Sequence, residues 1–102
     1  MAASKEVRNK ALDQLFDAVL TLKNKEDCYT FFKDLCTMKE LNDMAQRFTA
    51  ACLLLDGKTY EQIVKEAEIS TATISRVGRA LTDGTGVIGD VLRRLGDENG
   101  EA

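Results

Sequence analysis

Apolar residues recur three and four positions apart along most of this chain, the spacing of amphipathic helices. Val7, Ala11, Leu12, Leu15, Phe16, Val19, Leu20 and Leu22 form the first such stripe. Ser4 stands where an N-cap belongs, so a first helix is expected from there to about Leu22. The stripe is wide for a surface helix of a small monomer and asks for cover on more than one side. Asn24 is placed to cap a second helix, Lys25 to about Cys36, in which Tyr29, Phe31, Phe32 and Leu35 again crowd more than one face. Thr37-Met-Lys-Glu40 has the spacing of a capping box. It opens a third helix, Met38 to about Leu55, with Leu41, Met44, Ala45, Phe48, Ala51, Cys52 and Leu55 at helical spacing. Asp56-Gly57 ends it, glycine being suited to the left-handed residue that follows a helix.

Thr59-Tyr-Glu-Gln62 is a second capping box and predicts a short helix to about Ala67. A three-residue break, Glu68-Ile69-Ser70, precedes a further helix from about Thr71 to Leu81. Asp83-Gly-Thr-Gly86 reads as a turn, and a last helix spans about Val87 to Leu95. The fold class is therefore all-α, with about six helices and no strand-like alternation. The reading is one domain, residues 1–102. Within it, 1–56 form a helical core, 57–82 a helix-turn-helix, 83–95 a C-terminal helix and 96–102 a flexible tail.

The helix-turn-helix expectation comes from packing. Ile63, Val64 and Ala67 would be buried from the first helix, and Ile74, Val77, Gly78 and Leu81 from the second. Ile69 would plug the angle between them. Glu68 occupies a turn position that usually holds glycine, so either the turn is shaped differently there or a left-handed glutamate is tolerated at about 1 kcal/mol. On the other face of the second helix stand Thr71, Ala72, Thr73, Ser75, Arg76 and Arg79. These are short, polar or cationic. Short side chains let a helix settle into the major groove, hydroxyls reach phosphates, and an arginine can fork onto guanine.

Composition sharpens this. The chain has 102 residues, no proline and seven glycines, six of them at or beyond Gly78, so long uninterrupted helices are natural in the first three-quarters. No run of about 18 apolar residues exists and the N-terminus is polar, so neither a membrane span nor a signal peptide is expected. Cys28, Cys36 and Cys52 are odd in number and widely spaced. They read as reduced core thiols of a cytoplasmic protein. There is no histidine and no paired-cysteine motif, so no metal site, nucleophile–base pair or enzyme is expected.

The formal net charge is −3, which speaks against a general nucleic-acid coat. Its distribution matters more. Residues 83–102 hold 2 basic and 5 acidic groups, whereas residues 57–82 hold 4 and 3. From Ile69 to Thr82 there are two arginines and no acid. A local cationic face binds phosphate even on an acidic molecule. The acidic balance leaves open a rival of another class, a protein-interaction adaptor that keeps such a fold without touching DNA. Lys5, Arg8 and Lys10 could brush a DNA backbone, though a solvated helix start explains them better.

The run Ile69-Ser-Thr-Ala-Thr-Ile-Ser-Arg76 resembles the turn and recognition helix of bacterial helix-turn-helix repressors. With Leu35-Cys-Thr-Met-Lys-Glu-Leu, Ala45-Gln-Arg-Phe, Leu53-Leu-Leu-Asp-Gly and Ala72-Thr-Ile-Ser-Arg76, the chain resembles the Trp repressor family from about Leu12 to Leu95, most closely its YerC/YecD-type members. The resemblance implies an intertwined, all-helical homodimer whose early helices pack on the partner. It also implies two recognition helices about one turn of DNA apart. The expected function is that of a sequence-specific transcriptional regulator, a repressor, bound to a palindromic operator in double-stranded DNA. The resemblance further implies an effector pocket. Arg47 and Arg76 match two arginines that sandwich an indole, and Thr37 matches a threonine of that pocket. Two positions depart from the pattern. Val77 replaces a glycine and crowds an indole, and Ala80 replaces a pocket serine. No cofactor is therefore expected, with L-tryptophan or another small effector as the alternative. Read alone, Arg47 suits an ion pair with Asp43 at i−4, and Arg76 a phosphate contact.

Overall fold

The computed structural model describes residues 8–98, leaving aside the side chain of Glu98. Six helices and no strand are found among them: α1 Lys10–Val19, α2 Lys25–Leu35, α3 Met38–Leu55, α4 Tyr60–Ala67, α5 Thr71–Asp83 and α6 Val87–Glu98. The chain divides into two compact units, Met1–Leu41 and Asn42–Ala102.

In the first unit, Asn9 caps α1, its side-chain oxygen accepting from the Leu12 N–H at 2.8 Å. Ser4, Lys5 and Val7 lie outside the described residues, and the described helix opens five residues later than the Ser4 cap would place it. Asparagine ranks with the best N-caps, and Asn9 holds the extended backbone the position needs. The helix also stops short of Leu22. The Thr21 and Leu22 amides reach back three residues, to Ala18 and Val19, and this tighter turn ends α1. Asn24 caps α2 through the Asp27 N–H at 2.8 Å. The Thr37 capping box is formed in both directions: the Glu40 N–H donates to Thr37 Oγ1 at 3.1 Å, and the Thr37 N–H to Glu40 Oε1 at 2.8 Å.

No described residue of this first unit is buried. Leu20 is 81% exposed and Tyr29 68%, with Phe16 and Leu35 more than half open. Phe31 and Phe32 meet edge to face, their ring centroids 5.2 Å apart.

The second unit has the core. Ala50, Ala51, Ile63, Ile69, Ile74 and Val77 are buried together, and Leu53, Leu54, Ala67, Leu81 and Ile88 pack around them. α3 ends in a Schellman motif. Gly57 has φ +90°, its N–H donates to the Leu54 carbonyl, and the Lys58 N–H donates to the Leu53 carbonyl.

Three expectations are corrected here. Val64 is 38% exposed rather than buried, because it stands about 100° around α4 from Ile63, which takes the inward direction. α5 and α6 run on to Asp83 and Glu98, so residues 96–98 are helical rather than tail. The Thr82 hydroxyl bonds the Gly78 carbonyl at 3.0 Å near the end of α5. The cysteines are free thiols as expected, but none is buried: Cys28 is exposed, and Cys36 and Cys52 are half-buried. Burial still pushes the Cys52 thiol above its ordinary range, partly offset by a backbone hydrogen bond.

Candidate nucleic-acid interface

The second capping box forms as its spacing dictates. The Gln62 N–H donates to Thr59 Oγ1 at 3.1 Å, and the Thr59 N–H to Gln62 Oε1 at 2.8 Å. Two of the orphan amides at the start of α4 are thereby satisfied. The helix closes at Glu68, whose N–H donates to the Val64 carbonyl at 3.1 Å and whose backbone is left-handed, φ 57° and ψ 39°. That single reversal lets the chain turn within three residues. Ile69, 2% exposed, drops from the turn into the core. Ser70 caps α5: the Thr73 N–H donates to Ser70 Oγ at 3.2 Å, and the Ser70 hydroxyl donates to Thr73 Oγ1 at 3.1 Å.

α4 packs on α5, and the burial of Ile63, Ile74 and Val77 fixes the rotation of α5. Its opposite face is left to solvent. Thr71, Ala72, Arg76 and Arg79 are exposed, and Thr73 and Ser75 are half-buried. The six predicted residues thus share one helix, but not equally. Thr73 has its oxygen engaged in the cap, so Thr71, Ala72, Ser75 and the two arginines are the freer surface. Neither Arg76 nor Arg79 makes an ion pair among the described residues. No acidic residue lies between Ile69 and Thr82. The face is therefore cationic and uncompensated, and its backbone is approachable.

Two of the three effector candidates belong to the second unit. Arg47 and Arg76 line one open pocket of about 310 Å³ in the second unit, with Met44, Phe48, Ala51, Val77, Ala80 and Ile88 as its apolar wall. Thr37 belongs to the first unit, and its hydroxyl oxygen accepts in the α3 cap. Arg47 forms no ion pair among the described residues, so the pair expected with Asp43 is not made. The spacing of Met44, Arg47, Phe48 and Ala51 on α3, and of Arg76, Val77 and Ala80 on α5, could have pointed to this wall. Ile88 could not be found that way, since α6 is brought in by folding.

A capped helix, a left-handed turn and a second helix with an inward apolar edge and an outward cationic one define a helix-turn-helix protein of the all-α class. The comparisons with known proteins narrow this. The family model described as Trp repressor protein matches residues 10–96. The uncharacterized protein YerC of Bacillus subtilis is 45% identical over 97 residues, covering 95% of this chain and 93% of that protein. The crystal structure of a candidate Trp repressor from Staphylococcus aureus superposes with a TM-score of 0.85 at 45% identity, over 91% of this chain and 95% of that one. A TrpR-like protein from Eubacterium eligens gives 0.86 at 41%, over 91% and 96%. The chain belongs to the Trp repressor family.

Proposed function

We propose that this protein is a sequence-specific DNA-binding regulator of transcription, a repressor, that lays α5 in the major groove of a palindromic operator as a homodimer. One observation carries the reading: α5 presents Thr71, Ala72, Arg76 and Arg79 to solvent with both guanidiniums unpaired among the described residues. Short side chains permit close approach to the bases, and the arginines supply phosphate neutralisation and guanine recognition. Membership of the Trp repressor family supports it. The dimer is supported by the first unit, whose described residues are amphipathic helices with no buried side chain. Apolar surface of that extent on a small protein calls for a partner surface. A cytoplasmic location follows from the DNA-binding role, and no described helix is long and apolar enough to cross a membrane.

The regulator works without an obligatory cofactor on this reading. The Val77 side chain and the methyl of Ala80 line the pocket between Arg47 and Arg76, leaving less room and fewer polar groups for an indole amino acid. The experiment is selection of bound duplexes from random DNA, with and without L-tryptophan. Enrichment of one palindrome under both conditions is expected. Failure to enrich any sequence would end the DNA-binding reading, and enrichment only with tryptophan would overturn the cofactor-free one.

A further inference from the structure

Gly78 lies mid-helix in α5, where glycine is a poor choice. It has a steric reason to be there. A Cβ built on Gly78 would stand 2.7 Å from Tyr60 Oη, closer than real Cβ atoms come to any neighbour. The same Cβ would be 3.7 Å from Tyr60 Cζ and 3.6 Å from Leu54 Cδ1, which are ordinary contacts. The absent methyl therefore makes room for one atom, the phenol oxygen. Tyr60, the first residue of α4, lays the end of its ring against the backbone of α5.

Successive helical residues are turned by about 100°. Counted from the buried Ile74, Gly78 is turned by about 40°, Thr71 by about 60°, Ser75 by about 100° and Arg79 by about 140°, all in one sense. The phenol oxygen thus sits on the flank of α5 that continues into Thr71, Ser75 and Arg79. Val77 and Ala80, which border the pocket, are on the other flank. Tyr60 is 43% exposed, and its hydroxyl has no hydrogen-bond partner among the described residues.

We propose that Tyr60 is a further DNA-contacting residue, its hydroxyl donating to a backbone phosphate oxygen, and that Gly78 is the positioning residue that sets it there. This rests on the DNA-binding reading above. A phosphate is the acceptor because Tyr60 belongs to α4: α5 occupies the groove floor, and the groove edges that flank it are phosphate.

Binding of the full-length protein to two labelled duplexes tests this by fluorescence anisotropy. One is the duplex enriched by the wild-type protein, the other an unselected random-sequence pool. Tyr60→Phe keeps the ring and removes the donor, and should weaken binding about three- to tenfold on both duplexes. The salt slope should not change, since a neutral donor displaces no counterion. Gly78→Ala should cost a similar factor while raising the thermal midpoint through better helix propensity. Added to Tyr60→Phe, it should cost nothing more, because the methyl then meets only ring carbon. Arg79→Ala is the control. If it weakens binding and Tyr60→Phe does not, the tyrosine contact is refuted and the interface stands. If neither changes affinity, the interface reading itself is wrong. A Gly78→Ala loss that adds in full to that of Tyr60→Phe would break the link between glycine and hydroxyl.

Discussion

At the scale of single residues, Glu68 and the two arginines of α5 are the informative ones. Glu68 is the one non-glycine residue with a positive φ among those described. The left-handed region costs an ordinary residue about 1–2 kcal/mol, while glycine enters it freely but gives up more chain entropy on folding. Glu68→Gly should therefore stabilise the protein by up to about 1 kcal/mol, read as a higher urea midpoint. A lower midpoint would mean that the glutamate side chain makes a compensating contact. Arg76 and Arg79 differ in surroundings, since Arg76 also lines the pocket with Arg47. Replacing either by alanine should cost about 1–3 kcal/mol of operator affinity if it reads a guanine. A phosphate contact would weaken every sequence alike and lower the salt slope by about one unit. Unchanged affinity in both variants would count against α5 as the reading element.

At the scale of elements, the caps decide where helices begin. Ser70 satisfies an orphan amide of α5 at the residue that aims this helix. Ser70→Ala should cost about 1 kcal/mol of stability in urea unfolding. It should lower operator affinity as well, since it loosens the first turn, where Thr71 and Ala72 stand. A stability loss with no change in affinity would show that the first turn of α5 is held by the groove rather than by the cap. The capping boxes at Thr37 and Thr59 were legible in the sequence because each is settled by residues three apart. The start of α1 was not. Ser4 and Asn9 are both competent caps, and propensity does not choose between two good caps five residues apart. The exposure of Val64 escapes local pattern for a related reason. It lies beside Ile63 on the same apolar stripe, and the exact line along which α5 packs decides which of the two is covered.

At the scale of the whole molecule, the contrast between the two units is the main result. The second unit has an apolar cluster in which Ile63 and Ile74 are fully buried, whereas the described part of the first has no buried residue. The homodimer proposed above would cover Phe16 and Leu20. Charging that surface with Phe16→Glu and Leu20→Glu should shift sedimentation toward monomer and abolish cooperative binding to a two-fold operator. A variant that stayed dimeric would place the interface elsewhere. The cysteines belong to this scale too. Apolar neighbours in sequence imply burial for them, but without the covering surface Cys28 is open and Cys36 only half closed.

Sequence alone determined the number and type of the elements, the caps at Asn24, Thr37 and Thr59, the break between α4 and α5 and the polar, acid-free edge of α5. All of these are settled within a turn or two of helix, by hydrogen bonds and periodicity that local chemistry dictates. Tertiary structure decided that Arg47 and Arg76 share a pocket and that Tyr60 rests against Gly78. These pairs are far apart in the chain and meet only through the angle at which helices cross. That angle is set by the shapes of Ile63, Ile69, Ile74 and Val77 packing together, and no local pattern encodes it.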